Sequence, residues 1–151
     1  MQKKAAHKSK NIKDTAKIAK ILLDKIIKDA AKAKKATVVG LSGELGAGKT
    51  AFTQAVAKHL RIRQKTASPT FVIMKKYDLK SRSYKYFFHI DAYRLKNEKE
   101  LRNLGWKKII NDKSHLVFIE WPENVSRALP ADSRFIYITS DKNGQRSLKL
   151  I

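Results

Sequence analysis

Cysteine is absent from this chain of 151 residues. That excludes disulfides and any metal site built on thiolates. Acid is scarce, with 13 Asp plus Glu against 34 Lys plus Arg and a formal net charge of +21. No apolar run approaches the length of a bilayer span, and the Lys-rich N-terminus lacks the apolar core of a signal peptide. These absences predict a reducing, cytoplasmic setting without a membrane. Internal repeats and low-complexity segments are missing too. What is present suits one folded domain: 42% of residues are apolar, too many for a disordered chain. The length supports one core and leaves no room for a second. Residues 1–10 read as a flexible basic N-terminus and 11–151 as a single domain. The positive excess attracts polyanions, so nucleic acid or an acidic protein is a candidate partner. The lysines are spread along the chain and not gathered in one block.

Glycine is also sparse, and three of the six glycines fall in Gly43-Glu44-Leu45-Gly46-Ala47-Gly48-Lys49-Thr50. This stretch meets the P-loop pattern G-x-x-x-x-G-K-[ST] at every specified position. The glycines let the backbone curl its N–H groups into a nest for phosphate oxygens. Lys49 would reach the β- and γ-phosphates, and the Thr50 hydroxyl would ligate Mg²⁺. A helix opening at Thr50 would aim its positive end at the same anion. The flanks agree. Thr37 to Leu41 is a short apolar run of strand type, and Phe52, Ala55, Val56 and Leu60 recur at helical spacing. The chain therefore reads as a P-loop domain binding ATP with Mg²⁺.

Before that unit, Asn11 is placed to cap a helix whose apolar residues Ile12, Ala16, Ala19, Leu22, Leu23, Ile26, Ile27 and Ala30 share one face. After it, Ser68-Pro69-Thr70-Phe71 opens a strand to about Tyr77, and Tyr84 to Ile90 returns as its partner. Asn97 with Glu100 predicts a capping box for a helix to about Leu104, with Gly105 as its C-cap. Trp106 to Ile110 suggests a second short helix. Leu116 to Glu120 reads as a buried strand, and Arg134 to Thr139 and Arg146 to Ile151 as the last two strands.

A P-loop needs an acid for Mg²⁺ and its waters, usually at the tip of a neighbouring apolar strand. Glu120 fits that position. Asp91, which also ends a strand, is the second candidate. It could hold Mg²⁺ through water, or position and deprotonate the attacking water. His89 can share its sheet face, most simply as a hydrogen-bond partner. Thr70 lies where switch loops of P-loop NTPases place a Mg²⁺-sensing Thr. Arg94 could stabilise transition-state charge or pair with a carboxylate. Trp121 could pack on nucleotide or plug the core.

In order, GELGAGKT, SPTF, HIDAYR, the Leu104-Gly105 pair and IEWPE resemble the TsaE family of small P-loop ATPases, once called YjeE. The resemblance spans about Asn11 to Arg146. It implies an accessory ATPase for threonylcarbamoyladenosine formation in tRNAs reading codons that begin with A, acting on a complex of TsaD and TsaB. It implies that Gly46 to Thr50 hold the phosphates, that Thr50 and Glu120 hold Mg²⁺, and that Asp91 and Thr70 serve the reaction. Gly43, Glu44, Leu45 and Ala47 complete the loop. The nucleotide base would lie near Asn11 and Arg146. Ala51 departs from the family, which often carries a Thr there, and the strong positive charge is no family requirement.

The expected fold is a three-layer α/β P-loop fold. Its sheet would be mixed and mostly parallel, with helices on both faces and an antiparallel strand pair in the middle. Two other functions fit the same motifs less fully. One is a small-molecule kinase, for which no lid segment is evident. The other is a nucleic-acid-binding module without catalysis.

Overall fold

A computed structural model describes residues 5–63, 73–80 and 83–151. One seven-stranded sheet carries helices on both faces. In chain order the elements are β1 (His7–Ser9), α1 (Ile12–Asp29), β2 (Thr37–Ser42), α2 (Lys49–His59), β3 (Met74–Asp78), β4 (Tyr86–Asp91), α3 (Glu98–Arg102), α4 (Trp106–Ile110), β5 (His115–Glu120), a 3-10 segment (Pro122–Ala128), β6 (Arg134–Ser140) and β7 (Arg146–Leu150). The strand order is β1-β7-β6-β2-β5-β4-β3. The central pairs β6–β2, β2–β5 and β5–β4 are parallel. The outer pairs β1–β7, β7–β6 and β4–β3 are antiparallel.

Alternation along the strands builds two cores. Val39, Leu41, Phe87, Leu116, Phe118 and Ile136 face α1 and α2. Val38, Phe88, Ile90, Val117 and Ile119 face Leu101 of α3, Trp106 and Ile109 of α4, and Val125. The 3.6-residue spacing of α1 buries Ile18, Ala19, Leu22, Leu23 and Ile26 in the first core. The Asn11 side chain accepts the Asp14 N–H at 2.8 Å, as its capping role predicts. In α2, Phe52 stacks on Phe118 with centroids 6.4 Å apart, pinning the P-loop helix to β5.

Three expectations are corrected. The antiparallel pair β3–β4 lies at one edge of the sheet and not in its middle, because β5 and β2 supply long apolar strands that are buried on both faces. Part of the N-terminal segment expected to be flexible is ordered as β1: His7, Lys8 and Ser9 pair with Leu148, Ser147 and Arg146. The buried Ser9 hydroxyl shares a 2.7 Å hydrogen bond with Thr15, which ties that strand to α1. Gly105 does not close α3, which ends at Arg102. With φ +83°, it instead turns the chain into α4. At the other end of α3, Asn97 does cap the helix, accepting the Glu100 N–H at 3.3 Å, while the Glu100 carboxylate reaches back to the Lys96 N–H at 2.9 Å.

Candidate functional site

The P-loop connects the C-terminal end of β2 to the N-terminus of α2. Gly48 opens the helix in the left-handed region, φ +108°, with no side-chain cap. The first amides of α2 are thus left for an anion. Close approach to backbone requires glycine at 43, and the left-handed φ requires it at 48. A Cβ on Gly43 would run into the Ile138 carbonyl of β6, and one on Gly48 would lie 2.6–2.9 Å from the Arg146 guanidinium. Leu45 at the loop tip is exposed and Ala47 is buried.

Lys49 is almost fully buried. Its ammonium donates to the carbonyls of Gly43 and of Glu44, the latter at 3.0 Å. It also sits 4.1 Å from the centre of the Trp121 ring. Burial pushes its pKa down, and the carboxylates of Glu120, Glu123 and Asp91 oppose that shift. Trp121 reaches this position because its backbone turns left-handed at the end of β5, φ +58°. Its ring also meets Tyr93 at 5.1 Å and packs partly on the second core. Of the two roles that its sequence position left open, the structure shows the packing on the core, and it adds a contact with the loop lysine.

The parity of the strands decides which acids reach the loop. Phe87 and Phe118 face α2, so His89, Asp91 and Glu120, each an even number of residues on, face it too. Asp91 and Glu120 are also direct partners across β4 and β5. Glu120 is buried. One carboxylate oxygen takes a hydrogen bond from Thr50 Oγ1 at 3.4 Å, and the other lies 2.7 Å from His89 Nε2. This contact gives His89 the partner role expected of it. By anchoring one oxygen it fixes the other toward Thr50. The Asp91 carboxyl accepts the Tyr93 N–H at 3.0 Å. Burial raises its pKa, helped by Glu120 and opposed by the Tyr93 amide, His89 and Lys49.

Thr50 and Glu120 form a pair of hard oxygen donors, the set Mg²⁺ takes when phosphate and water complete its shell. Among the described residues no cluster of three or more His, Cys, Asp or Glu could hold a metal unaided. The donor set therefore fits a nucleotide-shared ion and not a protein-only cage.

Asn11 and Arg146, far apart in sequence, are brought together by the β1–β7 pairing, in which Ser9 stands opposite Arg146. Both line a cleft of about 120 Å³ with Ser9, Lys10, Thr15 and Gly144. The Arg146 guanidinium then reaches over Gly48, linking this cleft to the P-loop. Ala51 is the third residue of α2, half-buried. Arg94 is exposed in the turn beyond β4. Thr70 and its Ser-Pro-Thr loop lie outside the described residues. Sequence reading assigned no role to Glu123 or Tyr93. Their signal was position alone, Glu123 following the Glu120-Trp121 turn and Tyr93 following Asp91 at a strand tip.

Fold and site together define a P-loop α/β protein with a Lys, Thr and acid constellation at the C-terminal ends of its parallel strands. A family model described as "Threonylcarbamoyl adenosine biosynthesis protein TsaE" matches residues 9–148. The chain belongs to this family, whose place is in tRNA threonylcarbamoyladenosine biosynthesis. The protein of that name from Bacillus subtilis is 33% identical over 138 residues, covering 91% of this chain and 79% of its own. That from Rickettsia felis is 35% identical over 120 residues, covering 79% of this chain and 63% of its own. The chain thus spans under two thirds of the Rickettsia felis protein. A crystal structure of YdiB from Bacillus subtilis superposes with TM-score 0.73 at 27% identity, covering 99% of this chain and 86% of that one. Among the described residues no helix is long and apolar enough to cross a membrane.

Proposed function

We propose that the protein binds Mg-ATP at the P-loop and hydrolyses it slowly in the cytoplasm, in support of threonylcarbamoyladenosine formation on tRNA. In this reading its working partners are TsaD and TsaB, and the transfer itself is theirs. The observation that carries the reading is the convergence of Glu120 of β5 and Asp91 of β4 on Lys49 and Thr50, which open α2 at the end of the loop. The loop amides and Lys49 bind the phosphates. Thr50 and Glu120 hold Mg²⁺, which would supply charge neutralisation at the phosphoryl group. Glu120 is kept oriented by His89. Asp91 orients the attacking water, its raised pKa suiting it to accept a proton. Arg146 and Asn11 frame the cleft toward which the base extends.

A P-loop with Mg²⁺ grips ground-state phosphates, but fast hydrolysis also needs a fixed water and a cation on the transferring group. Supplying that cation in trans is worth roughly 10³–10⁵ in rate. The test is steady-state ATPase of the purified protein, alone and titrated with TsaB–TsaD. Low turnover that rises on titration supports the proposal. High turnover alone, unchanged on titration, points to a self-sufficient enzyme, and a phosphorylated small-molecule acceptor would identify a kinase.

A further inference from the structure

The opposite end of the sheet carries a second charged feature that the nucleotide reading does not use. Lys34, from the loop entering β2, meets Lys107 and Lys108 of α4 and Lys113 of the turn before β5. With Asn111 and Asp112 they line an open cleft of about 600 Å³. The Ala36 N–H donates to the Ile110 carbonyl at 3.0 Å, which fixes these two segments side by side. All four lysines are exposed. Among the described residues none has a carboxylate within 4.0 Å.

The one acid in the lining does not neutralise them. The Asp112 carboxylate accepts the Ser114 N–H at 2.8 Å and the Ser114 hydroxyl at 2.6 Å, and it lies 3.4 Å from His115 Nε2. Four ammonium groups therefore face solvent around one internally engaged carboxylate. We propose that this cleft binds the phosphate backbone of RNA.

The make-up of the cleft favours a phosphate backbone over a protein. Stable protein interfaces are depleted in Lys and anchored by aromatic residues, Met and Arg. Here the lining has no aromatic residue, Met or Arg, and none of the large exposed apolar side chains Ile12, Ile21, Leu45, Tyr93, Tyr137 and Ile151 belongs to it. Flexible point charges with no base-reading fork suit sequence-independent neutralisation. The location leaves the nucleotide site open. β2 runs six residues from this end to the P-loop, about 20 Å of extended chain. The inference does not rest on ATP hydrolysis, and its test contains no nucleotide.

The test measures binding of an unmodified tRNA transcript to the full chain by fluorescence anisotropy across 50–200 mM salt. Lys107→Glu/Lys108→Glu/Lys113→Glu is compared with Lys13→Glu/Lys17→Glu/Lys20→Glu on α1, which lowers the formal charge equally. A version with Gln at 107, 108 and 113 removes charge without adding repulsion and keeps the test valid if the reversal disturbs folding. The cleft variants should lose tenfold or more in affinity at low salt. Their salt slope should fall by about two to three, since each neutralised phosphate contributes roughly 0.7–0.9. The α1 variant should stay within about threefold of the parent. Equal losses in both sets would overturn the proposal in favour of net charge alone. A polyglutamate probe bound more tightly than the tRNA would overturn it in favour of an acidic protein.

Discussion

The two ends of the parallel strands carry inverted charge. At the C-terminal end, Asp91, Glu120 and Glu123 act on one ammonium, that of Lys49. At the N-terminal end, four lysines surround one carboxylate, that of Asp112. Burial makes the chemical difference. Lys49 is withdrawn from water with its pKa pushed down, and Asp91 beside it is pushed up, so both are charged at a cost. At the other end the lysines stay solvated, and hydrogen bonds from Ser114 hold the Asp112 carboxyl below its usual range. Overall charge is therefore a poor guide to a site. A chain of formal charge +21 gathers three acids around its P-loop lysine, and its surplus lysines lie elsewhere.

Removing the buried cation should break the comparison most severely. Lys49→Ala should lower ATP hydrolysis by about 10²–10³, the loss seen when one preorganised donor to transition-state charge is removed. The sheet should survive, since neither core depends on this side chain. Retained nucleotide binding and retained modification in the variant would show that the loop does not serve phosphate. The acids come next. Glu120→Gln keeps the shape and the His89 contact while deleting the charge. It should raise the Mg²⁺ needed for half-maximal activity by about tenfold or more, since losing a group that merely orients a metal's ligands already costs roughly 10–100-fold. A titration of hydrolysis against Mg²⁺ that matches the parent would return Glu120 to a purely structural role.

How much of this was legible in sequence depended on how locally each feature is encoded. The P-loop, its strand and its helix are contiguous, and α1 declares its buried face through Ile18, Leu22 and Ile26. Glu120 and Asp91 could be placed because apolar runs end on them. The meeting of Glu120 with His89 required knowing that β4 and β5 are neighbours, which no local pattern states. β1 was invisible because His7-Lys8-Ser9 has no apolar alternation, and its order comes from the free edge of β7 and the Ser9–Thr15 hydrogen bond. The edge position of β3–β4 was hidden similarly, since hairpin signals report pairing and not place in the sheet. Gly105 reads as a terminator in sequence because αL glycines end helices more often than they begin them.

The smallest effect concerns the cost of keeping Asp91 ionised. Its unfolded-state pKa is near 3.8, and the folded value lies above that, chiefly through burial and then through Glu120. Between the two values the folded protein holds a proton that the unfolded chain has lost. Stability therefore falls as pH rises through that window, and the full cost is present at neutral pH. Asn at this position carries no charge to desolvate, yet its side-chain oxygen can still accept the Tyr93 N–H. Without nucleotide or Mg²⁺, Asp91→Asn should melt higher than the parent at pH 7, by a few degrees at most. The gap should close as pH is lowered toward and below 3.8. Thermal melts of both proteins from pH 3.5 to 8 give the answer. A variant that melts lower at pH 7 would mean that attraction to Lys49 outweighs the burial penalty. In that case the acidic end of the sheet would be stabilised by its one ammonium, and the contrast between the two ends would be one of pairing and not of desolvation.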